Sequence, residues 1–355
     1  MSLRGVNIGP WDVFQNTLTQ QDFLNLKALG LEYVKINNHL GNLVQDDGSG
    51  NWEWKTSYKS GELVLDTWTR YIQWASNAGL KVTPDISLYG EGISPWLNQY
   101  TFWDPVNYPK FASLWATLAE MFKSIRNVVS FHILHVPGHA GIGNEQDWYQ
   151  IVTPTTIAAI RGVTNKRISW MPWRMGWGDV DDVRNQTGWY ATGQPLPYPN
   201  IEYGFNHYAN VISNGLTDLV SNRCEPYDGN ITPLLWHLQP AIDFKNKIKV
   251  PMGCWEFGLS IDGCGGWPLL EPSRLFWVKD MLTLFQENGF DWAYWNLAIP
   301  SAYGGTDFSI MNYDHTFRTE LVALLSEYVS TPISQQLKAL LPIAVIGYLL
   351  TIKKK

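Results

Sequence analysis

The sequence carries little charge and no strongly basic region. Only 16% of its 355 residues are charged and 45% are hydrophobic, whereas an average soluble domain has about 25% charged residues. A chain of this composition can bury a large core, which argues against disorder over most of its length. The formal net charge is -6, and the lysines and arginines are dispersed except at the last three residues. Because no basic surface is available to neutralise phosphates, the sequence argues against nucleic acid as a partner.

Cysteine is also scarce. Cys224, Cys254 and Cys264 show no Cys-x-x-Cys spacing and do not resemble a zinc site. Their odd number allows one disulfide and requires none. Gly5 and Gly9 do not form the glycine-rich turn that holds phosphates after the first strand of a nucleotide-binding sheet. We therefore predict neither a metal site nor a cofactor.

The two ends of the chain differ. No apolar run precedes the first predicted strand, so no N-terminal signal peptide is visible. Near the other end, Ala339 to Ile352 is apolar apart from one threonine and is followed by three lysines. We expect a linker over 331–336 and a hydrophobic tail helix over 337–355, which favours a membrane anchor over a packing helix. The protein is then expected to be extracellular or on the cell surface.

Short apolar runs of strand length alternate with helical patterns along the chain. The predicted strands are Gly5 to Ile8, Tyr33 to Asn37, Lys81 to Ile86, Val128 to Val136, Arg167 to Met171, Ile201 to Phe205, Pro251 to Glu256 and Asp291 to Trp295. Between them, apolar residues recur at helical spacing, as at Leu65, Trp68, Ile72 and Ala75. Eight βα units predict an α/β protein with a (β/α)8 TIM barrel over 1–330. A doubly wound sheet is the structural alternative.

Three glycines fall at the predicted ends of helices. Gly30, Gly79 and Gly289 each precede the next predicted strand, where a left-handed residue commonly ends a helix. This repeated position supports the order of elements.

The ends of the predicted strands carry polar and aromatic side chains. In a (β/α)8 barrel the chemistry lies at the C-terminal ends of the strands. The seventh strand ends at Glu256, the sixth continues into His207 and Tyr208, and the eighth ends at Trp295. The sequence also has 19 tryptophans, whose flat faces suit the apolar faces of sugar rings. These residues predict a cleft for a poly- or oligosaccharide, with a salt-bridged rim residue as the alternative for Glu256.

Several of these motifs resemble glycoside hydrolase family 5 over nearly all of residues 4 to 328. Arg4 to Asn7 is similar to the first strand of that family, and Pro251 to Gly258 is similar to its nucleophile strand. The resemblance implies a retaining mechanism with Glu256 as the nucleophile. It also implies that His207 and Tyr208 support the nucleophile and sugar.

The sequence departs from the family pattern at the fourth strand. Where the family has Asn-Glu-Pro, this chain has His135, Val136 and Pro137. Val136 cannot carry the proton of the general acid/base. The arginine of the second strand is replaced by Lys35, and the histidine of the third strand by Ser87, two residues after Asp85.

Other residues are candidates for the missing proton donor. Glu145 follows the fourth strand by nine residues and is predicted to fold back over the cleft. His135 or His139 is the alternative, since imidazole titrates near neutral pH. The residues expected to contact the sugar are Trp173, Trp255, Trp295, Lys35, Asp85, His135, His139 and Asn206.

Three functions remain open from the sequence. The first is a retaining glycoside hydrolase acting on β-linked poly- or oligosaccharides. The second is a carbohydrate-binding pseudoenzyme that has lost the acid. The third is a surface or envelope protein, which the apolar tail and two glycosylation-type sequons at Asn185 and Asn230 favour.

Overall fold

The protein forms a closed parallel barrel. The computed structural model describes residues 3–88, 97–138, 142–173, 195–207, 227, 229–258, 273–298, 309–312 and 314–330. The strands β1 to β10 are Arg4–Ile8, Tyr33–His39, Val44–Asp46, Trp52–Trp54, Lys81–Ser87, Ser130–His135, Arg167–Trp170, Ile201–His207, Met252–Phe257 and Asp291–Tyr294. All of them except β3 and β4 belong to the barrel. The eight predicted strands are therefore confirmed as barrel strands.

The order of the strands around the barrel follows the order of the sequence. β1 pairs with β2, and the sheet continues through β5, β6, β7, β8 and β9 to β10, which pairs with β1. Every pairing within the barrel is parallel. The C-terminal ends of these strands consequently meet at one end of the barrel, and strand-end residues that are far apart in sequence become neighbours.

Helices surround the barrel. The helices α1 to α10 of the described residues are Pro10–Gln15, Gln20–Ala28, Leu40–Leu43, Val64–Asn77, Tyr108–Phe122, Glu145–Asp147, Thr153–Arg161, Ile231–Ile248, Ser273–Glu287 and Thr319–Ser330. The helical spacing seen in the sequence is confirmed in α4, where Trp68, Ile72 and Ala75 are fully buried. The predicted helix ends are confirmed as well, because Gly30, Gly79 and Gly289 have positive φ angles of 90°, 82° and 62°.

Some element boundaries differ from the sequence prediction. β8 extends to His207, two residues past the predicted end, because Asn206 and His207 continue the pairing with β9. β6 begins at Ser130 and ends at His135, so Val136 lies outside the strand. The antiparallel hairpin of β3 and β4 has no counterpart in the prediction. Its strands have only three residues each, too few for a pattern to show.

The C-terminal tail lies outside the described residues, as do Cys224 and Cys264. Cys254 is a buried free thiol. Among the helices that are described, none combines the length and the apolar character needed to cross a bilayer.

Candidate active site

Glu256 lies near the C-terminal end of β9, inside the barrel. Only 1% of the residue is exposed, and both carboxylate oxygens have partners. Oε1 lies 2.8 Å from Nε2 of His135, and Oε2 accepts a hydrogen bond of 2.9 Å from the side-chain amide of Asn206. Contacts on both oxygens fix the orientation of the carboxylate. The structure thus holds Glu256 in one position at the end of the barrel where the chemistry of this fold takes place.

A β-bulge on β9 places Glu256 inside. Asn206 of β8 pairs with Glu256 after a shift of register, and this leaves Trp255 as an extra residue in the ladder. Side chains normally alternate between the two faces of a strand, but a bulge lets two successive residues share a face. Trp255 accordingly points inward too, with its ring centroid 6.0 Å from that of Tyr33. The amide of Asn7 donates a 2.6 Å hydrogen bond to the carbonyl of Trp255, so the bulged backbone keeps a partner.

A second irregularity on β6 places His135 inside. Asp85 of β5 pairs with His132, but Ser87, two residues on, pairs with His135. β6 therefore has one residue more than β5 over this stretch. His132 and His135 both lie on the inner face, which strict alternation would not allow. This bulge is what carries the imidazole of His135 to the carboxylate on β9.

The imidazole of His135 also contacts a second ion pair, between Lys35 and Asp85. Nζ of Lys35 lies 2.8 Å from Oδ2 of Asp85 and 2.6 Å from Nδ1 of His135. Nδ1 also lies 3.3 Å from Oδ2 of Asp85, and the amide of Asn37 donates to the same oxygen. Lys35, Asp85, His135 and Glu256 thus form one chain of contacts, which we call the buried charge cluster. Each of the four is at most 1% exposed.

The cluster shifts the pKa of several of its members. Burial by itself raises the pKa of Asp85, but Lys35 and the two histidines outweigh it and hold that pKa well below its usual range. Burial by itself lowers the pKa of His135, but the carboxylates of Glu256 and Asp85 outweigh burial and Lys35, so that its pKa is raised. The pKa of His132 is well below its ordinary value because burial dominates. Asp85 is therefore ionised and His132 neutral at neutral pH, and His135 keeps its proton more readily than a free imidazole.

Three buried side chains of this region are of the types that ligate metal ions. Ligand-type atoms of Asp85, His132 and His135 lie within 4.8 Å of one another. The ammonium of Lys35 already contacts Asp85 and His135, so a divalent cation there would meet a like charge. These residues fit an arrangement around a lysine cation better than a metal centre.

Val136 stands where the resemblance implies the general acid/base. It is 2% exposed and has a φ angle of 51°. A β-branched residue with positive φ is strained, by about 1–3 kcal/mol, and such strain persists only where the surroundings enforce it. The hydrocarbon side chain holds no proton to transfer. Position 136 thus combines a strained backbone with a side chain that cannot donate a proton.

Trp173 covers the backbone that follows Val136. It is 5% exposed, and its ring meets that of Trp103 edge to face at 4.9 Å. A Cβ added to Gly138 would lie 2.2 Å from the Trp173 ring, so only glycine permits this approach. Trp173 occupies the position of a packing residue rather than that of an open platform for sugar.

The other predicted aromatic and imidazole groups fall into different environments. Trp255 is 1% exposed and fills the space above Gly204, where an added Cβ would lie 2.2 Å from its ring. It too occupies a packing position. Trp295 directly follows β10 and is half-buried, so part of its surface is open to a ligand. His207 ends β8 and is 4% exposed.

Glu145 is exposed at the start of α6. Among the described contacts, none joins it to Glu256. His139 and Tyr208 lie outside the described residues. The structure therefore brings together Glu256, His135 and Asn206, with Lys35 and Asp85 behind them, and leaves Glu145 at the surface.

Sequence reasoning missed two members of this polar region. Asn37 and His132 are buried beside Asp85, but neither was a candidate. Asn37 could have been found by alternation, because it lies two residues after Lys35 on the same strand. His132 lies in the middle of the fourth predicted strand, where a polar residue in an apolar run indicates an inward group.

A closed parallel barrel with a carboxylate held at the C-terminal ends of its strands has the arrangement of a (β/α)8-barrel enzyme. Endoglucanase C of Acetivibrio thermocellus is 21% identical over an alignment that covers 91% of this chain and 97% of that protein. A hyperthermophilic endo-β-1,4-glucanase in complex with substrate matches with a TM-score of 0.66 at 18% identity, covering 92% of this chain and 100% of that chain. Thermotoga maritima Cel5A in complex with cellobiose gives 0.64 at 17% identity, covering 91% and 97%. No family model matches the chain.

These similarities confirm the (β/α)8 fold and the resemblance to family 5 cellulases. The relatives extend over nearly the whole chain, and the curated ones are endoglucanases, which supports the prediction of a glycosidase. They give no support to a membrane anchor. The roles of individual site residues stay predictions.

Proposed function

We propose that this protein is a retaining glycosidase of β-linked glucans in which Glu256 is the nucleophile. The observation that carries the proposal is the fixed carboxylate of Glu256 on β9, held by His135 and Asn206 at 2.8 and 2.9 Å. The substrate class comes from the similarity to endoglucanases, which matches nearly the full length of the chain.

The reaction follows from the chemistry of a carboxylate beside a sugar. A carboxylate oxygen of Glu256 attacks the anomeric carbon, the glycosidic C–O bond breaks, and a glycosyl ester forms. Water then attacks the same carbon and restores the carboxylate. The departing oxygen needs a proton in the first step, and Val136 cannot supply it. Losing a general acid costs about 10²- to 10⁴-fold in rate, so we expect slow cleavage of natural glucans and faster cleavage of substrates with a good leaving group.

The proposal is tested with an activated aryl β-cellobioside and a cello-oligosaccharide. We expect Glu256→Gln to lose hydrolysis of the aryl substrate while still binding the oligosaccharide, because the amide keeps the shape but does not attack. Glu120→Gln is the matched control, since Glu120 is an exposed carboxylate on α5 that pairs only with Lys123 in the described contacts. Unchanged turnover of Glu256→Gln would refute the nucleophile assignment.

A trapping experiment tests the covalent step directly. A fluorinated cellobioside with an activated leaving group should form an ester that turns over slowly, and peptide mass spectrometry should locate the sugar on Glu256. A sugar found on another carboxylate would replace Glu256 in the mechanism.

Glu145, at the start of α6, is one of the candidate donors. Its exposed position leaves its side chain unconstrained by the core. Glu145→Gln should slow cleavage of the oligosaccharide and leave the aryl substrate unaffected. If Glu145→Gln cleaves the oligosaccharide as fast as the wild type does, this role is excluded.

A carbohydrate-binding pseudoenzyme is the second candidate. Val136 at the acid/base position and the nearly complete burial of Glu256 favour it. This function predicts binding of cello-oligosaccharides with equal inactivity toward both substrate types. Location at the cell surface stays a prediction, and so do the roles of 331–336 and 337–355.

A further inference from the structure

His135 separates two buried carboxylates. Nε2 lies 2.8 Å from Oε1 of Glu256, and Nδ1 lies 2.6 Å from Nζ of Lys35 and 3.3 Å from Oδ2 of Asp85. The ammonium of Lys35 opposes protonation of the imidazole, but the two carboxylates outweigh it and raise the pKa of His135. Asn206 also contacts Nε2, at 2.9 Å. The imidazole is 1% exposed, so bulk water has little access to it.

The charges of the buried cluster balance only when His135 is protonated. Lys35 and His135 then offset Asp85 and Glu256, and the four charges sum to zero. With a neutral imidazole the cluster holds one excess negative charge away from water, which is costly in a low-dielectric interior. His132, whose Nδ1 lies 3.4 Å from Oδ1 of Asp85, is neutral because burial lowers its pKa.

We propose that His135 stores the proton that the site lacks at position 136, and that the negative charge of Glu256 holds it there. The inference deepens the proposed function and rests on it for its kinetic part. The coupling between His135 and Glu256 is a property of the free protein.

The chemistry of the first step releases this proton. When Glu256 bonds to the anomeric carbon, its carboxylate becomes a neutral ester and no longer stabilises the imidazolium. The proton on His135 passes through water to the departing oxygen as the glycosidic C–O bond breaks. In the second step, water attacks the anomeric carbon, the ester bond breaks, and the proton that this water loses returns to His135 as Glu256 regains its charge. Protons and electrons balance over the two steps.

The coupling is tested by NMR titration of the histidines in the full-length protein. We expect the midpoint of His135 to fall by roughly one pH unit or more in Glu256→Gln, because a charge in direct contact is removed. Asp85→Asn should lower the same midpoint. The signal of His135 is identified by its loss in His135→Asn, and thermal melting checks that each variant folds.

His315 provides an internal control. It is exposed and pairs with Asp22, which no variant alters, so its midpoint should stay constant. A His135 midpoint that is the same in the wild type and in Glu256→Gln would overturn the coupling.

The kinetic part is tested with aryl cellobiosides that differ in their leaving groups. With a poor leaving group, kcat/KM should fall as pH rises through the NMR midpoint of His135, whereas a good leaving group should show no such fall. His135→Asn should lose about 10²- to 10⁴-fold on the poor leaving group and little on the good one. Equal losses on both would indicate a purely structural role and overturn the proposal. Absence of hydrolysis in the wild type would refute the proposed function, while the titration still decides the coupling.

Discussion

Nε2 of His135 lies 2.8 Å from Oε1 of Glu256, although the two residues come from strands separated by β7 and β8. A bulge on each strand makes this contact, one before His135 and one at Trp255. Bulges next to active sites re-aim side chains. The site is therefore built by two local departures from strand regularity rather than by the barrel alone.

Restoring a carboxyl group at position 136 should increase activity. Because His135 already supplies part of the proton transfer, we expect Val136→Glu to raise the hydrolysis of unactivated cello-oligosaccharides by less than the roughly 10²- to 10⁴-fold that a general acid usually contributes. Val136→Gln is the matched control, because it has the same shape and the same positive φ angle without an acidic proton. Reducing-end assays on both variants check this prediction. Equal activity of the two would show that position 136 does not face the glycosidic oxygen.

Removal of Lys35 should destabilise the fold strongly. Lys35→Met leaves Asp85 ionised and buried without its ammonium, and breaking a buried pair costs about 3–5 kcal/mol. Lys81→Met is the control, since the pair of Lys81 and Glu32 is partly exposed and worth about 0–1 kcal/mol. Urea denaturation gives both free energies of unfolding. Similar losses for the two variants would contradict the importance of the buried cluster.

The sequence predicted the barrel well because strands and helices differ in period. The alternation of apolar runs with helical spacing located all eight barrel strands, and the strand-end rule identified Glu256 and Asn206. Lys35 and Asp85 were identified through the family resemblance and strand position. The contact between His135 and Glu256 could not be predicted, because strict alternation gives no sign of a bulge. The packed positions of Trp173 and Trp255 depend on glycines that are distant in sequence.

Asp12 should make stability depend on pH. Burial is the main cause that raises its pKa to about 7, and its partner is the Thr17 hydroxyl, which donates a 2.9 Å hydrogen bond. Because the folded state binds this proton more tightly than the unfolded state, the stabilisation is complete below the unfolded pKa and is lost as pH rises toward 7. We expect the wild type to lose as much as about 4 kcal/mol over this range relative to Asp12→Asn. Urea denaturation at several pH values measures the difference.

A second variant serves as the control for Asp12. Asp66 is an exposed carboxylate on α4, and Asp66→Asn should leave the pH dependence of stability unchanged. If Asp12→Asn shows the same pH dependence as the wild type, the Asp12 carboxyl does not titrate with a raised pKa.

The packing of Trp255 on Gly204 should be revealed by a compensating pair of changes. A Cβ at position 204 would lie 2.2 Å from the indole of Trp255, so Gly204→Ala forces the ring to move and should cost about 1–3 kcal/mol. Trp255→Phe should also destabilise the protein, because the smaller ring leaves a cavity. In the double variant the methyl group occupies part of that cavity, so the combined loss should be smaller than the sum of the single losses. Because Trp255 is the bulged residue next to Glu256, repacking here should also lower the activity of the single variants more than that of the double one. Strictly additive free energies of unfolding would show that the two residues do not share this space.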